Sequence, residues 1–240
     1  MHEHNAFITL TYDEDHLPWD KSLNKAHFQK FMKRLRWHNQ NTNIRFFHCG
    51  EYGDNFKRPH YHALLFNYDF PDKEVWSIQN GQRIYTSEFL AKLWPFGFST
   101  TGAVTWESAA YCARYAVKKI TGKAAEEHYW TALSTDLQIQ LQPEYATMSL
   151  KPAIGRGWFQ TYKDDCFPSD FITVKGKKKN IPRYYDKLLE QHNELDLLHI
   201  KENRKREARK HHENNTSARL AVRESVLEAK LKTLQRNLEQ

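Results

Sequence analysis

Two histidines, His60 and His62, lie one residue apart in GEYGDNFKRPHYHALLF, which spans residues 50–66. HYHALLF has the composition of a β-strand, and alternate side chains of a strand project from the same face. The two imidazoles can therefore share one metal ion. If the preceding segment pairs with this strand as a hairpin, Glu51 lies across from the histidines and offers an oxygen ligand. Two histidines and a carboxylate suit a divalent ion that also binds a substrate oxygen.

Two tyrosines form a second group of reactive side chains. Tyr111 and Tyr115 are four residues apart in YCARYAVKK, so they share one face of a helix. A tyrosine hydroxyl titrates near pH 10 and needs a cation or a metal-polarised electrophile to act as a nucleophile. Arg114 and Lys118 each follow a tyrosine by three residues. Core packing explains the same tyrosine spacing, and a half-buried strand with surface histidines explains HYH, so both alternatives stay open.

Strands and helices are predicted around both groups. Residues 6–12 and 44–49 are β-branched and aromatic runs that predict strands, and the turn residues at 53–58 join the second of these to HYHALLF as a hairpin. Apolar residues recur every three to four positions over residues 24–37, which predicts an amphipathic helix with a basic outer side. A helix over residues 107–120 is predicted to carry the tyrosines, with the preceding threonine at position 105 as its N-cap.

The remaining segments have weaker patterns. Residues 85–94 favour a short helix and residues 96–106 an extended segment. GRGWFQTY, at 155–162, favours a loop or a short element. FITVKGKKKNIPRYY predicts a hairpin with its turn at residues 176–179. The stretch 187–240 is rich in Glu, Lys, Arg, Leu and Ala without a full apolar stripe, which predicts partly solvated helices.

The charge balance limits the class of partner. The chain has 36 Lys and Arg against 29 Asp and Glu, a formal net charge of +7 and a pI near 9.2. This excess predicts a polyanionic partner, with nucleic acid ahead of a membrane surface. The sequence shows neither the long apolar run of a membrane helix nor the basic, apolar and small-residue order of a secretory signal. We expect an intracellular protein.

Two common kinds of site are not indicated. The three cysteines form no CxxC pair, so neither a disulfide framework nor a zinc knuckle is predicted, and we expect Cys49 and Cys112 to be buried thiols. TGKAAEEH lacks the earlier glycine and the final hydroxyl residue of GxxxxGK[ST]. We therefore predict no P-loop ATPase activity.

Three stretches carry a family resemblance. FITLTYDEDHLP, GEYGDNFKRPHYHALLF and YCARYAVKKITG, in this order, resemble the three motifs of the HUH rolling-circle replication initiators. They are most similar to the initiators of small single-stranded DNA phages of the microvirus, gokushovirus type. The similarity continues into PSDFITVKGKKKNIPRYYDKLLE and covers most of residues 6–190.

The resemblance implies a fold and a division of the chain. The expected fold class is α+β, with a central antiparallel sheet of about five strands in the HUH or ferredoxin-like arrangement, packed helices and a C-terminal helical tail. The expected domains are an HUH endonuclease at residues 1–186 and a basic, largely helical tail at residues 187–240.

The resemblance also implies roles for the reactive residues. His60 and His62 match the two metal-binding histidines of the family, and Glu51 matches a third ligand on the neighbouring strand. The metal is expected to be Mg²⁺ or Mn²⁺. Tyr111 and Tyr115 match the tyrosine nucleophiles.

Cations are implied as well. Lys118 matches the motif lysine, and Arg114 stands where closely related initiators have a second lysine; both are expected to stabilise charge on phosphate or phenolate. Further basic residues are candidates for DNA binding: Lys33, Lys57, Arg58 and Lys119. For the helix over 24–37, simple solvation of a surface is the alternative explanation of its lysines.

The implied reaction is transesterification on single-stranded DNA. A tyrosine oxygen attacks the scissile phosphate, the 3′ hydroxyl leaves and the 5′ end stays attached as a phosphotyrosine. Because the bond energy is conserved, rejoining needs no ATP, and two tyrosines allow one to hold the old 5′ end while the other cuts the regenerated origin. The implied partners are the single-stranded phage origin and a host helicase and polymerase in the bacterial cytoplasm, without a membrane.

Three alternatives remain at this point. A transposase or a plasmid relaxase of the HUH type uses the same chemistry. A non-catalytic nucleic-acid-binding module on a ferredoxin-like sheet forms no covalent adduct and ignores EDTA. A structural or regulatory zinc protein binds zinc tightly and has no need of the tyrosines.

Overall fold

The computed structural model describes residues 2–53, 56–79, 81–118, 125, 128–132 and 138–232 of the 240-residue chain. The chain forms two compact units, Met1–Ile154 and Gly155–Gln240. The assignment of residues 1–186 to an endonuclease and 187–240 to a tail stays a prediction. In the described ranges, no helix combines the length and apolar character that crossing a membrane requires.

One antiparallel sheet dominates the first unit. Its strands, with one further pair, are β1 (Asn5–Thr11), β2 (Arg45–Tyr52), β3 (Pro59–Phe66), β4 (Lys73–Gln79), β5 (Gln82–Ser87), β6 (Ser99–Gly102), β7 (Trp130–Ala132), β8 (Gln138–Gln140) and β9 (Tyr145–Met148). Seven strands form the sheet in the order β4-β5-β6-β1-β3-β2-β9, while β7 pairs with β8. The predicted α+β fold with a central antiparallel sheet is confirmed, although the sheet has seven strands instead of about five.

The edge of the sheet differs from the sequence expectation. The helix predicted over residues 85–94 is wrong at its beginning, because residues 85–87 belong to β5, which pairs with β4. Helix α2 (Glu88–Leu93) begins after Ser87, whose hydroxyl oxygen accepts a hydrogen bond from Leu90 N at 3.0 Å. This N-cap ends the strand and starts the helix at one residue.

Helix α1 (Lys25–His38) covers one face of the sheet and confirms the amphipathic helix predicted there. Asn24 caps it, because its side-chain oxygen accepts a hydrogen bond from Ala26 N at 3.0 Å. The apolar stripe is fully buried and consists of Phe28, Phe31, Met32 and Leu35. This burial fixes α1 on the sheet, since an isolated helix of this length is marginal in water.

Alternation along the central strands gives the sheet two faces. The helix-packed face carries core side chains, among them Ile8, Leu10, Tyr61, Ala63 and Leu65. The residues between them form the opposite cluster face, which carries Thr9, Thr11, His60 and His62. Helix α3 (Trp106–Lys118) packs against β2, β3 and β9 and reaches this cluster face through Tyr111.

The second unit is helical apart from one hairpin. Its elements are α4 (Arg156–Cys166), β10 (Phe171–Val174), β11 (Lys177–Asn180), α5 (Arg183–His192), α6 (Glu194–Lys210) and α7 (Ser217–Lys232). The C-terminal helices and the hairpin are confirmed. The interpretation of 155–162 as a loop or short element is wrong, because these residues begin an 11-residue helix that buries Phe159 and Cys166.

The hairpin turn also lies earlier than expected. Val174 pairs with Lys177, so the turn is Lys175 and Gly176 and not residues 176–179. Both turn residues have positive φ angles, 50° and 73°, as a two-residue turn with the twist of its strands requires.

Candidate metal centre and tyrosine helix

The hairpin of β2 and β3 brings three potential ligands together. Glu51 lies directly opposite His60, and His62 lies opposite Cys49, one pair further along the antiparallel register. Since His60 and His62 share a face, Glu51 projects toward both. The predicted pairing of Glu51 with the two histidines is therefore present in the structure.

The distances in this cluster are short. Glu51 Oε1 lies 3.0 Å from His60 Nε2 and 2.8 Å from His62 Nε2. One ligand atom from each residue lies within 4.8 Å of the others. Glu51 and His62 are buried, whereas the His60 side chain is 14% exposed and opens the cluster to solvent. A single ion can thus contact all three residues and still reach a substrate from the His60 side.

Both imidazoles are oriented by contacts on their other nitrogen. His62 Nδ1 lies 3.0 Å from Thr9 Oγ1, and His60 Nδ1 lies 3.1 Å from the Arg58 carbonyl oxygen, which accepts its hydrogen. A proton on Nδ1 leaves the Nε2 lone pair for a metal, and such outer contacts are usual in histidine metal sites. Phe7 stacks on His62 with ring centroids 5.6 Å apart and fixes the ring plane.

The electrostatics of Glu51 favour a cation. Burial opposes ionisation, but hydrogen bonds from His60 and His62 outweigh it and lower the pKa of the Glu51 carboxyl group from its usual value. Its second oxygen, Oε2, is buried and has no hydrogen-bond partner within the described part of the chain. Such an atom is costly to bury unless a partner reaches it. The donor set and this oxygen fit a divalent ion.

Helix α3 places Tyr111 over the cluster. Thr105 caps the helix as predicted: its Oγ1 accepts from Ser108 N at 3.2 Å, while the Ser108 hydroxyl accepts from Thr105 N at 2.8 Å. Tyr111 is buried, and its hydroxyl donates to Glu51 Oε1 at 3.2 Å. The same hydroxyl lies 3.4 Å from His62 Nε2. The structure therefore unites one predicted tyrosine with all three predicted metal ligands.

A family comparison assigns the chain. Residues 5–120 match the model of the replication-associated protein ORF2 family. Through these residues, the chain belongs to that family. The matched segment contains the whole cluster and Tyr111.

Individual relatives of this ORF2 family member come from small phages. The replication-associated protein VP4 of Bdellovibrio phage phiMH2K is 36% identical over 197 residues, 77% of this chain and 58% of the relative. The replication-associated protein ORF2 of Spiroplasma virus 4 is 32% identical over 222 residues, 87% of this chain and 65% of the relative. ORF4 of Chlamydia phage 1, also named a replication-associated protein, is 30% identical over 220 residues, 85% of this chain and 52% of the relative.

The extent of these matches defines what they carry. The chain spans between 52% and 65% of the lengths of these relatives. No solved structure matches the chain significantly. The comparisons confirm the resemblance to microvirus-type initiators that the sequence motifs predicted.

The other predicted residues of the tyrosine helix are only partly visible. Tyr115 and Lys118 lie in α3, but their side chains are outside the described part, and Lys119 lies outside the described residues altogether. Arg114 is partly exposed on α3. Its role and theirs stay predictions.

The predicted DNA-binding residues lie at different places in this ORF2 family fold. Lys57 is exposed at the tip of the β2–β3 hairpin. Arg58, beside it, forms an ion pair with Glu14 and donates to the Tyr12 carbonyl oxygen at 2.9 Å. Lys33 is exposed on α1, which covers the helix-packed face. The structure thus brings Lys57 and Arg58 near the cluster but leaves Lys33 on the other side of the sheet.

Two contributors to the site were missed from the sequence. Thr9 and Phe7 alternate with core residues in FITLTY, so the strand pattern gives their common face, but only the register of β1 against β3 shows that they meet His62. The predicted burial of Cys49 and Cys112 is confirmed. Cys112 directly follows Tyr111 in α3.

Proposed function

We propose that the chain is a metal-dependent, site-specific endonuclease and ligase for single-stranded DNA that initiates rolling-circle replication of a small phage. One observation carries the proposal: the Tyr111 hydroxyl lies 3.2 Å from Glu51 Oε1, within a Glu51, His60 and His62 cluster that fits a divalent ion. A nucleophile held beside a phosphate-binding metal site is what phosphodiester transfer needs. The family match to replication-associated proteins supports the same function.

The proposed ligands are Glu51, His60 and His62. A bound Mg²⁺ or Mn²⁺ supplies Lewis-acid polarisation of the scissile phosphate. The chain does the positioning. Thr9 and the Arg58 carbonyl hold the two imidazoles with their Nε2 atoms toward the site, at 3.0 and 3.1 Å from the respective Nδ1 atoms.

The proposed nucleophile is the Tyr111 oxygen. Its hydroxyl hydrogen points to Glu51 Oε1, which keeps an oxygen lone pair free to attack phosphorus. Attack forms the tyrosine O–P bond and breaks the bond from phosphorus to the 3′ oxygen, and the 3′ hydroxyl leaves with one proton in place of the phenolic one. The 5′ end is then held as a phosphotyrosine, and the reverse reaction rejoins the strand.

Further residues complete the proposal. Tyr115 is the second nucleophile, which lets a rolling-circle cycle cut the regenerated origin while the first link persists. Lys118 and Arg114 stabilise the charge of phosphate or phenolate, and Lys57, Arg58 and Lys119 hold the DNA backbone. A host helicase and polymerase in the bacterial cytoplasm would supply unwinding and synthesis.

The test is adduct formation with labelled single-stranded origin DNA and Mn²⁺. We expect an SDS-stable protein–DNA adduct that disappears with EDTA and in the double variant Tyr111→Phe, Tyr115→Phe. Tyr162→Phe is the matched control, because Tyr162 is an exposed tyrosine of the second unit. An adduct that survives in the double variant would refute the nucleophile assignment. Binding of DNA without any adduct would favour a non-catalytic module, and tight stoichiometric zinc a structural role.

A further inference from the structure

Two large aromatic side chains on the sheet are turned toward solvent. Trp76 of β4 is 61% exposed and Phe98, which directly precedes β6, is 48% exposed. Their ring centroids lie 5.3 Å apart with the planes tilted by 55°. We call Trp76 and Phe98 the aromatic pair. Exposed aromatic rings in contact with each other form an apolar patch of the kind that marks binding sites.

The aromatic pair lies on the cluster face. The Phe98 carbonyl oxygen accepts hydrogen bonds from both the backbone N and Oγ1 of Thr11, each at 2.9 Å, so Phe98 lies opposite Thr11. Thr11 in turn lies opposite His60. Directly opposed residues share a face, and neighbouring strands are about 4.8 Å apart, so the Phe98 backbone is about 10 Å from that of His60.

The backbone beneath the aromatic pair is tightly fixed. Gly97 has a φ angle of 147°, and a Cβ there would collide with the backbone N of Asp13. This close approach holds the segment before Phe98 against the chain that follows β1. On the other ring, β4 has a register shift between Val75 and Ser77, which flank Trp76. Such bulges redirect a side chain, here toward Phe98.

The surface between the aromatic pair and the cluster is continuous. Thr9 and Thr11 of β1 and Thr100 of β6 are all partly exposed and lie between His60 and Phe98 on the same face. An extended strand of nucleic acid can cross such a shallow polar track. A stacked strand advances about 3.4 Å per nucleotide, so the aromatic pair lies about three nucleotides from the cluster.

The charge of the first unit makes a non-ionic contact necessary. Residues 1–154 contain 17 Lys and Arg and 16 Asp and Glu, so this unit is close to neutral. Phosphate attraction supplies most non-specific binding in strongly basic proteins. A nearly neutral unit gains less from it and needs a second source of affinity, and base stacking on aromatic rings is such a source.

We propose that the aromatic pair is a stacking platform for bases of single-stranded DNA about three nucleotides from the cleaved phosphate. The proposal rests on the proposed function, because it takes the cluster as the point of cleavage. Trp76 and Phe98 hold bases by their faces, which positions the scissile phosphate at the cluster without reading the sequence. They are positioning residues and touch no reacting atom.

The test measures DNA affinity and cleavage separately. We compare full-length wild type with Trp76→Ala, Phe98→Ala and the double variant, by fluorescence anisotropy of a labelled origin oligonucleotide in EDTA, and by adduct yield in Mn²⁺. The double variant is expected to bind roughly 10- to 100-fold more weakly. Adduct yield at saturating DNA is expected to stay within about threefold of wild type, since the cluster is intact. The conservative variant Trp76→Phe should retain affinity.

A matched control and a DNA change sharpen the result. Trp37→Ala removes a similarly exposed tryptophan from α1 on the helix-packed face and should bind DNA like wild type. An abasic nucleotide about three positions from the mapped nick should weaken wild-type binding but weaken the double variant no further.

Two results would overturn the platform. One is unchanged affinity of the double variant while wild type still forms the adduct, which refutes the platform and leaves the proposed function intact. The other is a loss of self-association in the double variant by analytical ultracentrifugation without a loss of DNA affinity, which assigns the aromatic pair to a contact between copies. If wild type neither binds DNA nor forms an adduct, both proposals fail together.

Discussion

The two faces of β3 show how one strand serves stability and chemistry. On the helix-packed face, the Tyr61 hydroxyl lies 2.8 Å from the Tyr12 hydroxyl and accepts from Asn24 N at 2.8 Å, within a closed aromatic core. On the cluster face, His60 and His62 on either side of it surround a buried carboxylate that lacks a hydrogen-bond partner for one oxygen among the described residues. Neighbouring residues should therefore fail in different ways when they are changed.

The largest effect is expected on the cluster face. His62→Ala removes a proposed metal ligand, and a metal contributes several kcal/mol to transition-state stabilisation, so adduct formation should slow on the order of 10³-fold. The free energy of unfolding should change little. Single-turnover adduct kinetics in Mn²⁺ and denaturant unfolding measure the two quantities. A variant that unfolds easily but still cleaves at the wild-type rate would reverse the assignment of the faces.

The next effect tests the contact behind His62. Thr9→Val keeps the shape of the side chain but removes the oxygen 3.0 Å from His62 Nδ1. Loss of such a supporting contact typically costs about 10- to 100-fold in metal affinity. Titration with Mn²⁺ by calorimetry measures it. Thr100→Val, on the same face but opposite Thr9 on β6, is the control, and equal losses in both variants would contradict a specific role for Thr9.

A smaller effect of the other kind is expected one residue before His62. Tyr61→Phe removes a hydroxyl that caps the entry to α1, because it accepts from Asn24 N and donates to the Asn24 carbonyl oxygen at 3.1 Å. The buried partners lose their hydrogen bonds, which should lower the free energy of unfolding by about 1 to 3 kcal/mol. Mn²⁺ affinity should stay at the wild-type value. A weaker metal affinity with unchanged stability would contradict the division between the faces.

The smallest effect is a pH dependence on the helix-packed face. Burial, with nearby His62 and Lys25, lowers the pKa of His48 well below its usual value, and the ring stacks on Phe28 at 3.4 Å. The folded state therefore keeps His48 neutral, whereas the unfolded chain takes up a proton below about pH 6.5. Stability is full above that pH and falls as the pH drops.

This one group should lower the free energy of unfolding by about 1 kcal/mol between about pH 7.5 and 5.5. Denaturant unfolding at the two pH values measures the difference. His48→Gln should remove this part of the pH dependence whatever its effect on stability at the higher pH, whereas His38→Gln, at an exposed position of α1, should preserve it. An unchanged slope in His48→Gln would contradict the assignment.

Local sequence signals predicted much of this architecture. The α1 stripe, the N-cap at Thr105 and the pairing of Glu51 with the HYH strand follow from periodicity, capping and hairpin geometry, which depend on neighbours in the chain. What the sequence did not reveal depends on distant contacts. Strand β4 is largely exposed and lacks the apolar alternation of a buried strand.

The same limit applies to the site. Thr9 meets His62 across 53 residues of chain, and Phe98 meets Trp76 only because β4 and β6 lie in one sheet. Polar and aromatic residues of these types occur on many surfaces. Their roles became visible only when the register of the strands was known.

The most direct measurement of the central claim is the identity of the residue that carries the DNA. Wild type is incubated with single-stranded origin DNA and Mn²⁺, the adduct is digested with protease and nuclease, and the modified peptide is sequenced by mass spectrometry. The account predicts a nucleotide linked through its 5′ phosphate to Tyr111 or Tyr115. A nucleotide on any other residue, or one linked through its 3′ phosphate, would contradict it.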